Sequence, residues 1–141
     1  MRIDLPDETG TQSARAAAGV AVPPVRVLIV DDQAPFRSVA RTLVSLIRGW
    51  SVVGEAESGE AGVAAVDELG PQLVLMDINL PGINGVEATR RILAAHPEVT
   101  VVLVSTYAAE DLPADALSVG AAGYIRKEEL TPKLLRSLLP S

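Results

Sequence analysis

Apolar positions along this chain fall into two alternating rhythms. Short unbroken runs form the first: Val27-Leu28-Ile29-Val30, Leu73-Val74-Leu75-Met76 and Val101-Val102-Leu103-Val104. A run with no in–out alternation predicts a strand buried on both faces of a parallel sheet. Helical spacing forms the second. Phe36, Val39, Ala40, Leu43, Leu46 and Ile47 predict an amphipathic helix over 34–48, which Gly49 ends. Trp50 to Ala56 is a second, more exposed strand. Ser58 can cap a second helix, which Gly70 and Pro71 close. The strand over 72–77 follows.

Beyond it, Asn84 and Glu87 have the spacing of a capping box, and a third helix is expected over about 85–96. Strand four covers 101–104. A short helix is expected over 112–119, with Pro113 in its first turn and Gly120 after it. A small fifth strand spans 121–125. Thr131 and Pro132 open a last helix of about two turns. Five strand–helix units in succession predict an α/β fold: one doubly wound, five-stranded parallel sheet with helices on both faces. If the first strand neighbours the third, the order is 2-1-3-4-5. The switch point then lies between the strands that end at Asp31-Asp32 and at Asp77, where ligands bind in open sheets.

Residues 1–24 break this rhythm. They are polar to Ser13, then alanine-rich up to Pro23-Pro24. Acids and a weak basic start argue against a signal peptide, so a flexible extension is expected before a single domain over 25–139. The 141-residue length suits one domain. Cysteine is absent, which removes disulfides and thiolate metal sites and fits a cytoplasmic setting. No apolar run approaches the ~20 residues that span a bilayer. A net charge of −6, with no basic stripe, makes nucleic acid a poor partner.

The polar strand ends carry the chemistry. Alone, Asp77 could merely cap a loop. With Asp31 and Asp32 on the neighbouring strand it joins three carboxylates, whose mutual repulsion calls for a bound cation. With one histidine and no cysteine, the donors are oxygens, which suits Mg²⁺ or Mn²⁺. Lys127, after the fifth strand, can pair with a carboxylate or phosphate, and Ser105, after the fourth, can donate to a phosphoryl oxygen. A carboxylate can act as nucleophile and form an acyl phosphate. The expectation is an aspartyl-phosphate site with Asp77 as acceptor, assisted by Mg²⁺. Asn79 and Tyr107 flank it and are expected to tune hydrolysis. His96, Trp50 and Arg90-Arg91 are read as a helix-end residue, a packing residue and a solvated helix face.

Val30-Asp31-Asp32, Leu75-Met76-Asp77, Pro81-Gly82, Ser105 and Gly120-Ala121-Ala122-Gly123-Tyr124-Ile125-Arg126-Lys127 together resemble the response-regulator receiver domain of two-component signalling. The resemblance covers residues 25 to 139. It implies that a histidine kinase supplies the phosphoryl group to Asp77. It implies that Asp32, Asp77 and the backbone carbonyl of Asn79 hold Mg²⁺, with Asp31 acting through water. Ser105 and Tyr124 would be the switch pair, moving the surface around the fourth helix and fifth strand for a downstream partner or a second copy. Such a module transfers phosphate only to itself and slowly loses it. Glu128 departs from the family, in which a proline commonly follows the lysine. Gly85 to Arg91 and Gly123 to Lys127 are most similar to receivers of the LuxR/NarL type. The stretch after Lys127 is too short for their helix-turn-helix, so no output domain is expected in this chain, and a stand-alone regulator and a fragment both remain open. A receiver-like interaction or dimerisation module that works without phosphate is the alternative. A haloacid-dehalogenase-type phosphatase ranks lower, because that family needs a second Asp where Asn79 stands.

Overall fold

The computed structural model describes residues 24–107 and 112–139. The N-terminal extension expected over 1–24 therefore lies outside the described residues, save Pro24. Five strands run parallel: β1 (Val25–Val30), β2 (Trp50–Ala56), β3 (Leu73–Asp77), β4 (Thr100–Ser105) and β5 (Gly123–Arg126). Their order is β2-β1-β3-β4-β5, as the sequence predicts. Helices α1 (Ala34–Ser45), α2 (Gly59–Leu69), α3 (Gly85–Ala95) and α4 (Pro132–Ser137) cover the two faces.

Strand alternation explains why two apolar layers form. Val27, Ile29, Leu73 and Leu75 pack with Ala40 and Val44 of α1 and Leu135 of α4. Their neighbours Leu28, Val30, Val74 and Met76 point the other way, to Val66 of α2 and Val86 and Ile92 of α3. Both sides of the central strands are thus apolar, which is why their sequence shows no alternation. Trp50 is buried at the foot of β2, as a packing residue should be.

Helix ends follow local chemistry. Ser58 accepts from the Ala61 N–H, Asn84 from the Glu87 N–H at 2.8 Å, and Thr131 from the Leu134 N–H. The capping box at α3 is only half made. Glu87 does not reach back to Asn84; its carboxylate pairs with Arg90 and Arg91 one turn on. The first helix stops at Ser45 rather than at 48, because Leu46 and Ile47 turn back onto Leu43 and Val44 ahead of Gly49, whose φ is 83°.

The helix expected over 112–119 is absent; that segment is a run of turns. Its bonds are short-range: Ala116 N–H to the Pro113 carbonyl at 3.0 Å, and Ser118 N–H to Asp115 at 3.2 Å. Within it only Ala116 is buried, whereas Leu117 is 73% exposed. A helix that short needs an apolar face to bury if it is to offset its nucleation cost, and one alanine is not enough. The crossover from β4 to β5 is therefore non-helical over the described residues.

Candidate functional site

The C-terminal ends of β1, β3, β4 and β5 converge. Asp31 follows β1 directly, Asp77 is the last residue of β3, Ser105 closes β4, and Lys127 follows β5. Parallel pairing puts all four ends on one side of the sheet, and the register aligns Val30 with Met76 and Asp77 with Val104. One glycine makes the acceptor end possible. A Cβ at Gly85 would lie 2.0 Å from the Asp77 carbonyl oxygen. Lacking one, the first residue of α3 donates its N–H to Ile78 at 2.8 Å and seats the helix against the strand end. Glu60 of α2 adds a second tie, accepting from the Ile83 N–H at 3.2 Å in the β3–α3 loop.

Asp31, Asp77 and Ser105 are buried, while Asp32 is exposed at the mouth. One carboxylate oxygen from each of Asp31, Asp32 and Asp77 lies within 4.8 Å of the other two. The Lys127 Nζ stands 2.7 Å from Asp31 Oδ2 and 3.7 Å from Asp77 Oδ2. It also donates to Gln33 Oε1 at 3.2 Å. Burial pushes the Asp77 carboxyl up to about 6, with repulsion from Asp31 adding to it; Lys127 and a backbone hydrogen bond from Asn79 pull the other way. One lysine does not balance three carboxylates, two of them buried.

That imbalance fits a divalent cation. The donor set is oxygen only, the arrangement that suits a hard ion. Asp31 Oδ1 accepts the Gln33 N–H at 2.8 Å, but Oδ2 accepts no hydrogen bond, touching Lys127 only as an ion pair. The Asp31–Asp32–Asp77 cluster could hold a metal ion.

Every strand-end residue singled out in the sequence lines or borders this cleft. Asp32, Gln33, Asp77, Asn79, Ser105, Thr106 and Lys127 form its wall. Ser105 Oγ accepts from the Tyr107 N–H at 3.2 Å, and the Tyr124 hydroxyl donates to the Tyr107 carbonyl. Burial raises the Tyr124 phenol, whose ring packs on the α2/α3 layer. Three residues went unnoticed as parts of the site: Thr106, beside Ser105 in the wall, and Gln33 and Phe36. Gln33 sits directly after the acidic pair, and that adjacency was its only signal. Phe36 carried a helical pattern, which marked it for the core. His96 and Arg90-Arg91 lie away from the cleft. His96 closes α3 and contacts Asp67 Oδ1 at 2.6 Å; Arg90 and Arg91 share Glu87, and Arg90 reaches Asp115 at 2.9 Å.

Comparison with known proteins agrees with this geometry. A family model described as the response regulator receiver domain matches residues 27–139. Response regulator GacA of Pseudomonas protegens is 45% identical over 103 residues, covering 73% of this chain and 48% of that protein. The chain thus spans about half the length of the curated relatives it matches. A two-component response regulator of the LuxR family from Aurantimonas superposes with a TM-score of 0.73 at 30% identity, over 81% of each chain. The signal receiver domain of the response regulator NarL from Mycobacterium tuberculosis gives 0.72 at 30% identity, over 83% of this chain and 98% of that one.

Proposed function

Because the chain belongs to the response-regulator receiver family, we propose that Asp77 is its phosphoacceptor and that a histidine kinase is the donor. In that transfer an Asp77 oxygen supplies the pair for a new P–O bond, the P–N bond to the kinase imidazole breaks, and the imidazole nitrogen leaves with the P–N bonding pair. The observation that carries the reading is the meeting of a buried carboxylate, a lysine and a buried hydroxyl at adjacent strand ends. A scaffold has no use for that set, whose charge is expensive to bury.

Asp32, Asp77 and the Asn79 carbonyl are the ligands assigned to Mg²⁺, with Asp31 acting through water. Bound there, the ion supplies charge neutralisation for the phosphoryl oxygens. Lys127 pairs with one of those oxygens, having only a short distance to move. Ser105 turns its hydroxyl from the Tyr107 N–H to another, which loosens the Tyr107–Tyr124 contact. The surface that responds consists of β5 and the turns over 112–122, not a regular helix. A downstream protein or a second copy reads that surface. Asn79 and Tyr107 at the mouth steer water and set the lifetime of the acyl phosphate. The domain turns over no external substrate, acts in the cytoplasm, and occupies 25–139 after an extension over 1–24.

The test is the intact mass after incubation with Mg²⁺ and a small phosphodonor, beside Asp77→Asn. A gain of one phosphoryl, about 80 Da, in the native chain alone is expected. No gain from the small donor or from a panel of phosphorylated kinases would leave the phosphate-independent interaction module as the reading.

A further inference from the structure

Lys127 is held by more than carboxylates, and the extra contacts come from the first turn of α1. Its ammonium lies 4.5 Å from the centroid of the Phe36 ring and hydrogen-bonds Gln33 Oε1. Gln33 is the N-cap of α1, and Phe36 lies three residues on. Two features make the arrangement informative. An N-cap position favours a short side chain that accepts a helix N–H. Gln33 makes no such bond, and its longer amide crosses to a residue 94 positions away. A helix N-terminus also carries positive potential, which disfavours an ammonium. Lys127 is kept there because Gln33 presents a carbonyl oxygen, Phe36 its negative ring face, and Asp31 a charge.

We infer that Gln33 and Phe36 are positioning residues for Lys127. They hold its ammonium on the open side of the cleft, where phosphoryl oxygens arrive. Without them the ammonium is tethered only by Asp31 at 2.7 Å and Asp77 at 3.7 Å and is free to swing about those contacts. An incoming phosphoryl group then meets a lysine that must first be ordered. Gln33 governs both partners of that pair, since its N–H also fixes Asp31 Oδ1. The consequence for phosphoryl uptake rests on Asp77 being the acceptor.

The sequence offers a clean readout, because it has one phenylalanine and two lysines, Lys127 and Lys133. In ¹³C-lysine-labelled protein, the Phe36 ring current should separate the Lys127 ε-protons from those of Lys133. Phe36→Leu keeps an apolar side chain and should collapse that separation, whereas Phe36→Tyr should retain it. Uptake from a small phosphodonor with Mg²⁺ should slow about fivefold in Phe36→Leu and in Gln33→Ser, the scale of one ordinary hydrogen bond or cation–π contact, and stay near native in Phe36→Tyr. Gln33→Ser separates positioning from folding. Serine is the better cap, so its unfolding midpoint should rise while its uptake falls. Native uptake rates in both Phe36→Leu and Gln33→Ser, or an unmoved Lys127 resonance in Phe36→Leu, would overturn the inference. If the native protein takes up no phosphoryl group, the phosphoacceptor reading fails instead, and the lysine resonance alone decides whether Phe36 holds Lys127.

Discussion

The two sides of the cleft are built differently. On the β1–β3 side, two central strands carry buried carboxylates, and each strand has hydrogen-bonded neighbours on both sides. Gly85 lets α3 close on the Asp77 carbonyl, and Glu60 pins the loop above it. On the β4–β5 side, the edge strand has four residues, and residues 112–119 ahead of it are turns. Leu117 faces solvent, Tyr124 is half-buried, and one exposed ion pair, Arg90–Asp115, ties the segment to α3. Phosphoryl transfer gains from groups that need no reorganisation at the moment of reaction. A switch needs a piece of low local stability that a modest free energy can move. A single sheet edge meets both needs because its centre is held on all sides and its end is not.

If the acceptor side is the rigid one, its packing should tolerate least. Gly85→Ala puts a methyl group into the Asp77 carbonyl and should cost about 3 kcal/mol in urea unfolding. A near-native midpoint would show that the β3–α3 junction can give, and the contrast would break.

Next in size is the charge on that side. Asp77 titrates near 6 instead of 3.8, so the native state holds its proton more tightly than the unfolded chain does. Its ionised form therefore destabilises the metal-free fold. That cost is absent below about pH 4, grows as pH rises between the two values, and is complete above about 6. Asp77→Asn should stabilise the metal-free protein by roughly 1–3 kcal/mol at pH 7 and by almost nothing near pH 4. Thermal melts at both pH values would show it, and Mg²⁺ should narrow the gap by stabilising the native protein alone. An unstabilised variant at pH 7 would mean that the carboxylates are already compensated.

The smallest effects should fall on the other side. Arg90→Ala removes the tie to Asp115 and should speed amide exchange at Ala116 and Ser118 while leaving β1 and β3 protected. Leu117→Ser, at a solvent-facing position, should change stability by less than about 0.5 kcal/mol. A larger loss at Leu117 would show that the turns are packed more firmly than their exposure suggests.

What was legible beforehand was local in origin. A strand buried on both faces must be apolar throughout, so β1, β3 and β4 announce themselves, and the polar residue ending each one marks the sheet edge. Caps at Ser58, Asn84 and Thr131 are equally local. Propensity misled at 112–119, where Pro113 and Gly120 bracket a helix-length stretch but tertiary packing offers it no surface to bury.

By itself, then, the sequence determined the order of the strands, the sheet they form, and the set Asp31, Asp32, Asp77, Ser105 and Lys127, because hydrophobic period and strand-end chemistry are written along the chain. Only the tertiary structure decided how those groups are held. It chose Gly85 as the contact point for α3, made Gln33 and Phe36 the cradle of Lys127, and left residues 112–119 as turns. Each of these outcomes depends on which surfaces meet across the sheet, and no residue's local preference encodes a distance to a partner 94 positions away.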